Sequence, residues 1–431
     1  MNNFVEQMQA ALNTLPSQQA WLHELRKKSM EEFITAGLPT RKQENWKYTD
    51  IFNLTNQQFQ CAIPERITAS QLKEFNLPCY DIILINGEYC KELSALPSMM
   101  DVHSLSNEFK LNDYIQSYFM NKRFDKFQQF ALLNTALMQN GIFIRIPNNT
   151  RLDKSLRILS VWKSKVPQMN HGRYFVFLGE NVEINIIEEY QTLESELYFN
   201  NIVTQYVLQP NVKLNYIKLQ NESEKAYHIA NTQFQCASHS QINSLHIGKG
   251  SSLTREDVTY ELNGEGASCR LRGLYLPRKT QHIDFHTTIN HHVARTESAE
   301  LFKGIIADNG SAVFNGRVFV EKEAQKINAN QSNKNILLSE TAEVYTKPEL
   351  EIYANDVKCS HGATIGQLDR EALFYLRSRG ISLEVAQKFL LEAFMGEVLN
   401  EIVDGEIGKY IKGVVKVENK GQFKEENEED V

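Results

Sequence analysis

Apolar residues along this chain change their spacing several times. Near the start they recur at helical intervals: Phe4, Val5, Met8 and Leu12 share one face before Pro16, and Trp21, Leu22, Leu25, Met30 and Phe33 share another before Gly37 and Pro39. A strand and tight turn are predicted at Ile82-Ile83-Leu84-Ile85 followed by Asn86-Gly87. Helical spacing returns between Asp113 and Met138, at Tyr114, Ile115, Tyr118, Phe119, Phe127, Phe130 and Leu133.

From about Gly141 the pattern becomes short β-rich segments separated by polar turns such as Gly179-Glu180-Asn181, Pro210-Asn211 and Asn309-Gly310-Ser311. Segments open at Val182, Val212, Ser240, Ala267, Ala312 and Ala342, at intervals of 30, 28, 27, 45 and 30 residues. A recurrence near 30 without sequence identity points to a solenoid of stacked strands, each turn burying its apolar face on its neighbours. A β-sandwich is the competing architecture, but more than 200 residues without a domain break favour the solenoid. Helical spacing resumes with Asp369 as an N-cap, Arg370 to Arg379 as a helix and Gly380 as its stop. A second helix after Ser382 carries an apolar stripe of Leu383, Ala386, Phe389, Leu390, Ala393, Phe394 and Ile402, which must dock on the solenoid or on a partner. The expected organisation is a mostly helical N-terminal region with some α/β character over 1–140, a mainly β solenoid over 141–367, a helical region over 368–412 and an acidic, disordered tail over 413–431.

Composition narrows the function classes. The 431 residues are 42% hydrophobic and 23% charged, ordinary for a globular protein. The longest apolar runs, Tyr174 to Leu178 and Ala372 to Leu376, fall far short of the ~20 residues that span a membrane. The opening residues carry neither the basic nor the apolar region of a secretory signal, so a cytoplasmic location is expected. A net charge of -7, concentrated in Glu425-Glu426-Asn427-Glu428-Glu429-Asp430, argues against nucleic-acid binding. The six cysteines, Cys61, Cys79, Cys90, Cys236, Cys269 and Cys359, form no C-x-x-C pair, and most are expected to be small buried hydrophobes.

Two clusters carry chemistry. In Lys358-Cys359-Ser360-His361-Gly362-Ala363-Thr364 a thiol and an imidazole two residues apart share one side of an extended segment. They suit iron–sulfur chemistry or zinc, but two ligands do not complete a site. The plain alternative is a buried cysteine and a hydrogen-bonded surface histidine at the end of the last rung. In His282-Ile283-Asp284-Phe285-His286, followed by His291-His292, alternation puts His282, Asp284 and His286 on one face. That is either a three-ligand metal site or the polar outer face of a solenoid strand. The chain lacks a phosphate-binding loop, a nucleophile elbow, an H-E-x-x-H zinc motif and a Rossmann fingerprint, so no self-sufficient enzyme is expected and any ATP-driven role needs another chain.

Several blocks resemble one family. Pro39-Thr40-Arg41-Lys42-Gln43-Glu44-Asn45-Trp46-Lys47-Tyr48-Thr49, Ala312-Val313-Phe314-Asn315-Gly316 with Ala324-Gln325, the run Lys347 to Thr364, and Leu373 to Ile381 are similar to SufD of the SUF iron–sulfur cluster assembly system, within the SufB/SufD superfamily. The Glu-Asn-Trp-Lys-Tyr-Thr block favours SufD over its sister SufB. The one departure noted is Asn355-Asp356 where the family has Asp-Asp.

The resemblance implies a right-handed parallel β-helix flanked by helices, in a complex with SufB and two copies of the ATPase SufC. It implies a non-catalytic scaffold with no stably bound cofactor. A nascent iron–sulfur cluster would form at the interface with SufB, with His361 as a transient, shared ligand and Cys359 as its neighbour. The helices from Asp369 to Asp404 correspond to the SufC-docking region, with Tyr375, Arg377, Arg379, Phe389 and Phe394 as contact candidates. Flavin binding by the complex and homodimerisation of the chain alone stay open. The alternatives are a carbohydrate-active β-helix enzyme and a mononuclear metal protein built on His282, Asp284 and His286.

Overall fold

The computed structural model of the chain describes residues 3–16, 19–63, 65–106, 113–121, 124–194, 197–400 and 405–416. The acidic tail expected at the C-terminus lies, from residue 417 on, outside the described residues, and so does Ile402. Helices α1 (Asn3–Thr14), α2 (Ala20–Ala36) and the short α3 (Phe52–Thr55) open the chain. The helical stretch expected over 113–138 is two helices, α4 (Asp113–Asn121) and α5 (Gln129–Leu137), and Phe127 stands 55% exposed between them. At the other end come α6 (Arg370–Ser378), α7 (Leu383–Leu399) and α8 (Gly405–Val414).

The strands before the solenoid are β1 (Gln60–Cys61), β2 (Tyr80–Ile85), β3 (Glu88–Tyr89) and β4 (Asp101–Ser104). Those that build it are β5 (Gly141–Ile146), β6 (Leu156–Trp162), β7 (Gln168–Leu178), β8 (Glu183–Thr192), β9 (Tyr198–Leu208), β10 (Lys213–Glu222), β11 (Tyr227–Cys236) and β12 (Gln241–Gly250). They continue as β13 (Leu253–Leu262), β14 (Ser268–Tyr275), β15 (His282–His291), β16 (Glu297–Ile306), β17 (Ser311–Val320), β18 (Ile327–Leu337), β19 (Glu343–Ile352) and β20 (Val357–Gly366). Odd-numbered strands from β5 to β19 form one parallel sheet and even-numbered strands from β6 to β20 the other. Each turn of the coil therefore contributes one strand to each sheet, the parallel solenoid that the turn spacing predicts.

The register also explains the anomalous interval. Even-sheet strands begin at 183, 213, 241, 268, 297, 327 and 357, a regular step of 27 to 30 residues. The segments read at 182, 212, 240 and 267 lie on that sheet, whereas those at 312 and 342 are β17 and β19 of the odd sheet. The gap of 45 is one and a half turns, a change of sheet and not an irregular repeat.

Between the sheets lies a core that includes Ile186, Tyr216, Tyr260, Leu271, Phe285, Phe302 and Phe314. The outer faces are covered as well. Phe4, Met8, Phe33 and Leu133 of the N-terminal helices pack with Phe199 and Ile229 of the odd sheet. Leu391, Met395, Val398 and Ile411 pack with Ile217, Leu245, Leu274 and Ile305 of the even sheet. Coverage on both faces is what parallel sheets require. At turns of the coil, Asn181 (φ 57°) and Asn211 (φ 63°) adopt the left-handed conformation that asparagine tolerates. Their side chains stack into a ladder, Asn211 Nδ2 donating to Asn181 Oδ1 at 3.0 Å and Asn181 Nδ2 to Asn149 Oδ1 at 2.9 Å.

The interior is not wholly apolar. Glu188, Lys218, Glu256, Glu222 and His228 are buried inside the coil. Lys218 contacts Glu256 directly and approaches Glu188 Oε1 at 3.6 Å, while His228 Nδ1 lies 2.7 Å from Glu222 Oε2. Tyr216 donates to Glu188 Oε2 at 2.9 Å, and Asn200 Nδ2 to Glu222 Oε1 at 2.7 Å. Burial pushes the Glu222 carboxyl up, but the facing His228 outweighs it and holds the group below its ordinary value. Opposite charges facing one another offset the cost of burying this network.

Candidate functional site

The two ends of the solenoid differ. At the N-terminal end, β4 pairs antiparallel with β5, and the β2–β3 hairpin, turned by Asn86 (φ 50°) and Gly87 (φ 86°), closes the other sheet. At the C-terminal end, among the described residues, β19 pairs with β17 alone and β20 with β18 alone. Both are ten-residue strands with one bare edge. Tyr353 and Ile365 there are 58% and 50% exposed. Long, open, parallel edges offer rows of unpaired N–H and C=O groups to another chain.

Cys359 and His361 lie on this last rung, both on the inward side of β20. The register sets Cys359 over Ala329 and His361 over Gln331, which are buried inward-facing residues, whereas Ser360 points outward and accepts from Asn330 Nδ2 at 2.7 Å. The spacing thus delivers the shared side that alternation predicts. Cys359 is half-buried against Ala329, Val357 and Ala354. That burial pushes its thiol up, so alone it holds its proton at neutral pH. His361 is exposed. Among the described residues no strand pairs with the outer edge of β20, so the pair is an incomplete donor set that opens onto that end.

Below the rung lies the helical region. Asp369 caps α6 by accepting from Glu371 N at 2.9 Å and Ala372 N at 3.1 Å, and Gly380 (φ 83°) ends it, both as read from the sequence. Ser382 caps α7 in the same way through Val385 N. The apolar stripe expected on α7 is split between two faces. Of the expected residues Ala386 is buried, Leu383, Leu390 and Phe394 are half-buried, and Phe389 (48%) and Ala393 are exposed, while the face packed on the sheet is made by Leu391, Met395, Val398 and Leu399, which the expected stripe leaves out. Phe394 is held under the Lys303 ammonium, 4.2 Å from the ring centroid, and packs with the even-sheet cluster, which makes it an anchor of the helix. Phe374 (75%) and Tyr375 (57%) stand out from α6. Arg377 and Arg379 are exposed beside them, and Arg379 bonds the Tyr375 hydroxyl at 3.1 Å. Together they present an aromatic and basic face.

The second histidine cluster has a different fate. His282, Asp284 and His286 do share the outer face of β15, but their donors are engaged. Asp284 Oδ2 accepts from Arg255 at 2.6 Å and Thr49 at 2.5 Å, and its Oδ1 lies 3.0 Å from His286 Nε2. His282 bonds Thr49 and Ser311 at 2.8 and 2.7 Å. Burial pushes the Asp284 carboxyl up, yet Arg255 and the two imidazoles draw it well below the carboxylate range. Among the described residues no group of three or more His, Cys, Asp or Glu side chains is placed to hold a metal ion. The triad is instead the seat of the Glu44–Thr49 block. Trp46 lies over the Arg255 guanidinium at 4.2 Å, Tyr48 stacks on Tyr345 at 4.1 Å, and Glu44 pairs with Lys347 at 2.9 Å. This segment straps the odd sheet from β13 to β19, a role that local spacing does not reveal.

His291 turns inward to Thr296 and Ser298, while His292 bridges Glu321 and Glu261 at 2.7 Å each. Of the cysteines, Cys236 and Cys269 are buried, Cys79, Cys90 and Cys359 are half-buried and Cys61 is exposed. The expectation that most are buried hydrophobes holds for two.

Comparison with known proteins places these features. Residues 161–394 match the SUF system FeS cluster assembly SufBD core domain, and residues 2–158 match the SufBD protein N-terminal region. The chain is 33% identical to the iron–sulfur cluster assembly protein SufD of Escherichia coli K12, over 87% of this chain and 88% of that one. It is 30% identical to the chloroplastic protein ABCI7 of Arabidopsis thaliana, over 95% and 89%. It is 26% identical to SufD of Bacillus subtilis 168, over 92% and 94%. A parallel solenoid, strapped by its N-terminal block and bearing a Cys–His pair on its last rung, is thus a member of the SufBD family of SUF-system iron–sulfur cluster assembly proteins, on its SufD side.

Proposed function

We propose that this chain is the non-catalytic scaffold subunit of an ATP-driven complex in which an iron–sulfur cluster is built between its last rung and that of the sister subunit SufB. The observation that carries this reading is the asymmetry of the solenoid: one end is closed by antiparallel strands, and the other is bare and bears Cys359 and His361. A half-set of soft and intermediate donors at a bare edge calls for a second chain to supply the remaining ligands. Iron and sulfur are the substrates of such a site, and His361 donates one imidazole nitrogen to the nascent cluster.

ATP hydrolysis belongs to SufC, docked on the aromatic and basic face of α6 around Phe374, Tyr375 and Arg377. Because α7 and α8 are pinned to the even sheet, a push on α6 has a rigid lever through which to reach the last rungs. The interface reading is tested by amide exchange of β20 in the monomeric chain and in the complex co-expressed with SufB and SufC. Protection of 357–366 should rise at least tenfold in the complex. Unchanged exchange there, with the complex assembled, contradicts the interface.

A further inference from the structure

The column of side chains beneath His361 carries an inference that rests on the reading just given. Inward positions of the even sheet stack in register, Leu271 on β14, Glu300 on β16, Gln331 on β18 and His361 on β20. Neighbouring strands lie about 4.8 Å apart, so Glu300 sits roughly 10 Å below His361 with Gln331 between them. Gln331 is 1% exposed, and its Nε2 donates to Glu300 Oε2 at 2.7 Å. With Glu300 ionised, that bond turns the Nε2 end of the amide toward the carboxylate, although burial raises the Glu300 carboxyl to about 7. Its other end, Oε1, is buried and finds no donor among the described residues. A buried acceptor without a donor is costly and rare in native proteins, so it needs a reason.

Gly316 shows that room is made for this side chain. A Cβ at Gly316 on β17 would stand 2.1 Å from Gln331 Nε2 and 2.9 Å from its Cδ. The glycine of the Ala312-Val313-Phe314-Asn315-Gly316 block thus leaves a slot that the Gln331 amide fills. The residue stacked over Gln331 is His361, whose ring carries an N–H in either tautomer.

We infer that Gln331 is a positioning residue for His361: Glu300 orients its amide so that Oε1 accepts the imidazole N–H once a partner covers the open end. Fixing one ring N–H commits the lone pair of the other nitrogen to an iron ion delivered at the interface, as outer hydrogen bonds do for metal-ligating histidines generally. The slot, the amide and the carboxylate form one relay, set inside the solenoid below the exposed donor.

The test uses the complete complex with SufB and SufC, reading the activity of cluster-dependent enzymes in cells together with the yield of assembled complex. Gln331→Met keeps the volume and removes the acceptor; activity should fall at least tenfold with the yield unchanged. Exchanging the pair, Glu300→Gln with Gln331→Glu, again places an acceptor under His361 and should return activity to within threefold of the unchanged chain. Packing alone would not produce that rescue. Full activity in Gln331→Met while His361→Ala is inactive overturns the positioning role and leaves the scaffold reading standing. Full activity in both variants removes the scaffold reading as well. An exchanged pair that assembles but stays below a tenth of normal activity also overturns the role, and it decides the matter if Gln331→Met does not assemble.

Discussion

Replacing Asp284 with Asn should release the N-terminal strap without unfolding the solenoid. The carboxylate is fully buried and pairs with Arg255 at 2.6 Å, accepts from Thr49 at 2.5 Å and faces His286 at 3.0 Å. Removing one partner of a buried ion pair costs about 3–5 kcal/mol, because the other charge stays behind uncompensated. Arg255 keeps Asp257 at 2.9 Å, so the lower end applies, about 3 kcal/mol. Most of that loss falls on the contacts made by Thr49 and by Trp46, which lies on the Arg255 guanidinium. At about 1.4 kcal/mol per factor of ten, the strap should open roughly a hundredfold more often. Amide exchange of 44–50 reads this directly, and 297–306 in the even sheet serves as an unaffected reference. A change below fivefold would refute the assignment of Asp284 as the strap's anchor. Stoichiometric metal in the unchanged chain, lost with Asp284→Asn, would restore the metal-site reading of the triad.

Further expectations concern other parts of the fold. Gly273→Ala puts a Cβ 1.9 Å from the Phe302 ring and should cost about 1–3 kcal/mol by overpacking, read as a lower urea midpoint; an unchanged midpoint contradicts the packing. His292, hydrogen-bonded to Glu261 and Glu321, is raised from 6.5 to about 9, so its contribution is complete below about pH 6.5 and lost as pH rises through about 9. The stability gap between the unchanged chain and His292→Gln should therefore shrink from pH 6.5 to pH 10, and a constant gap would show that the bridge does not titrate. Asp369→Ala removes both cap bonds of α6 and should cost about 1 kcal/mol of helix stability, read as faster exchange in 370–378. Phe374→Ala with Tyr375→Ala should abolish co-purification with SufC while leaving the solenoid's stability unchanged.

Turn chemistry made the solenoid legible, and it also explains where the phase slipped. Turns at Asn181 and Asn211 use the residue expected in the left-handed conformation, and so announce themselves. Those before β15, β16 and β18 put Lys279 (φ 55°), Arg295 (φ 57°) and Lys326 (φ 61°) in that conformation, which carries no turn signal. Spacing from turn signals therefore passes over β16 and β18 and picks up β17 and β19 of the other sheet. Alternation correctly placed Cys359 with His361, and His282 with Asp284 and His286, because it depends only on an extended backbone. It could not reveal whether those donors were free. Thr49 and Arg255 approach from 235 and 29 residues away and occupy Asp284, a relation that exists only once the coil is wound. The stripe on α7 split for a similar reason: helical spacing names apolar residues within reach of one face, and the even sheet then selects the side of Leu391 and Met395. The buried Glu188–Lys218–Glu256 network was equally invisible, since charged residues in a strand are ordinarily read as facing water.

The most direct measurement of the assembly role is maturation of cluster-dependent enzymes in cells whose only copy of this chain carries His361→Ala, with the yield of the three-subunit complex measured alongside. Loss of cluster-enzyme activity with the complex assembled in normal amount is the expected result, and Cys359→Ser in the same assay weighs the neighbouring thiol. Normal activity in the His361→Ala cells would contradict the claim that the last rung is half of an assembly site.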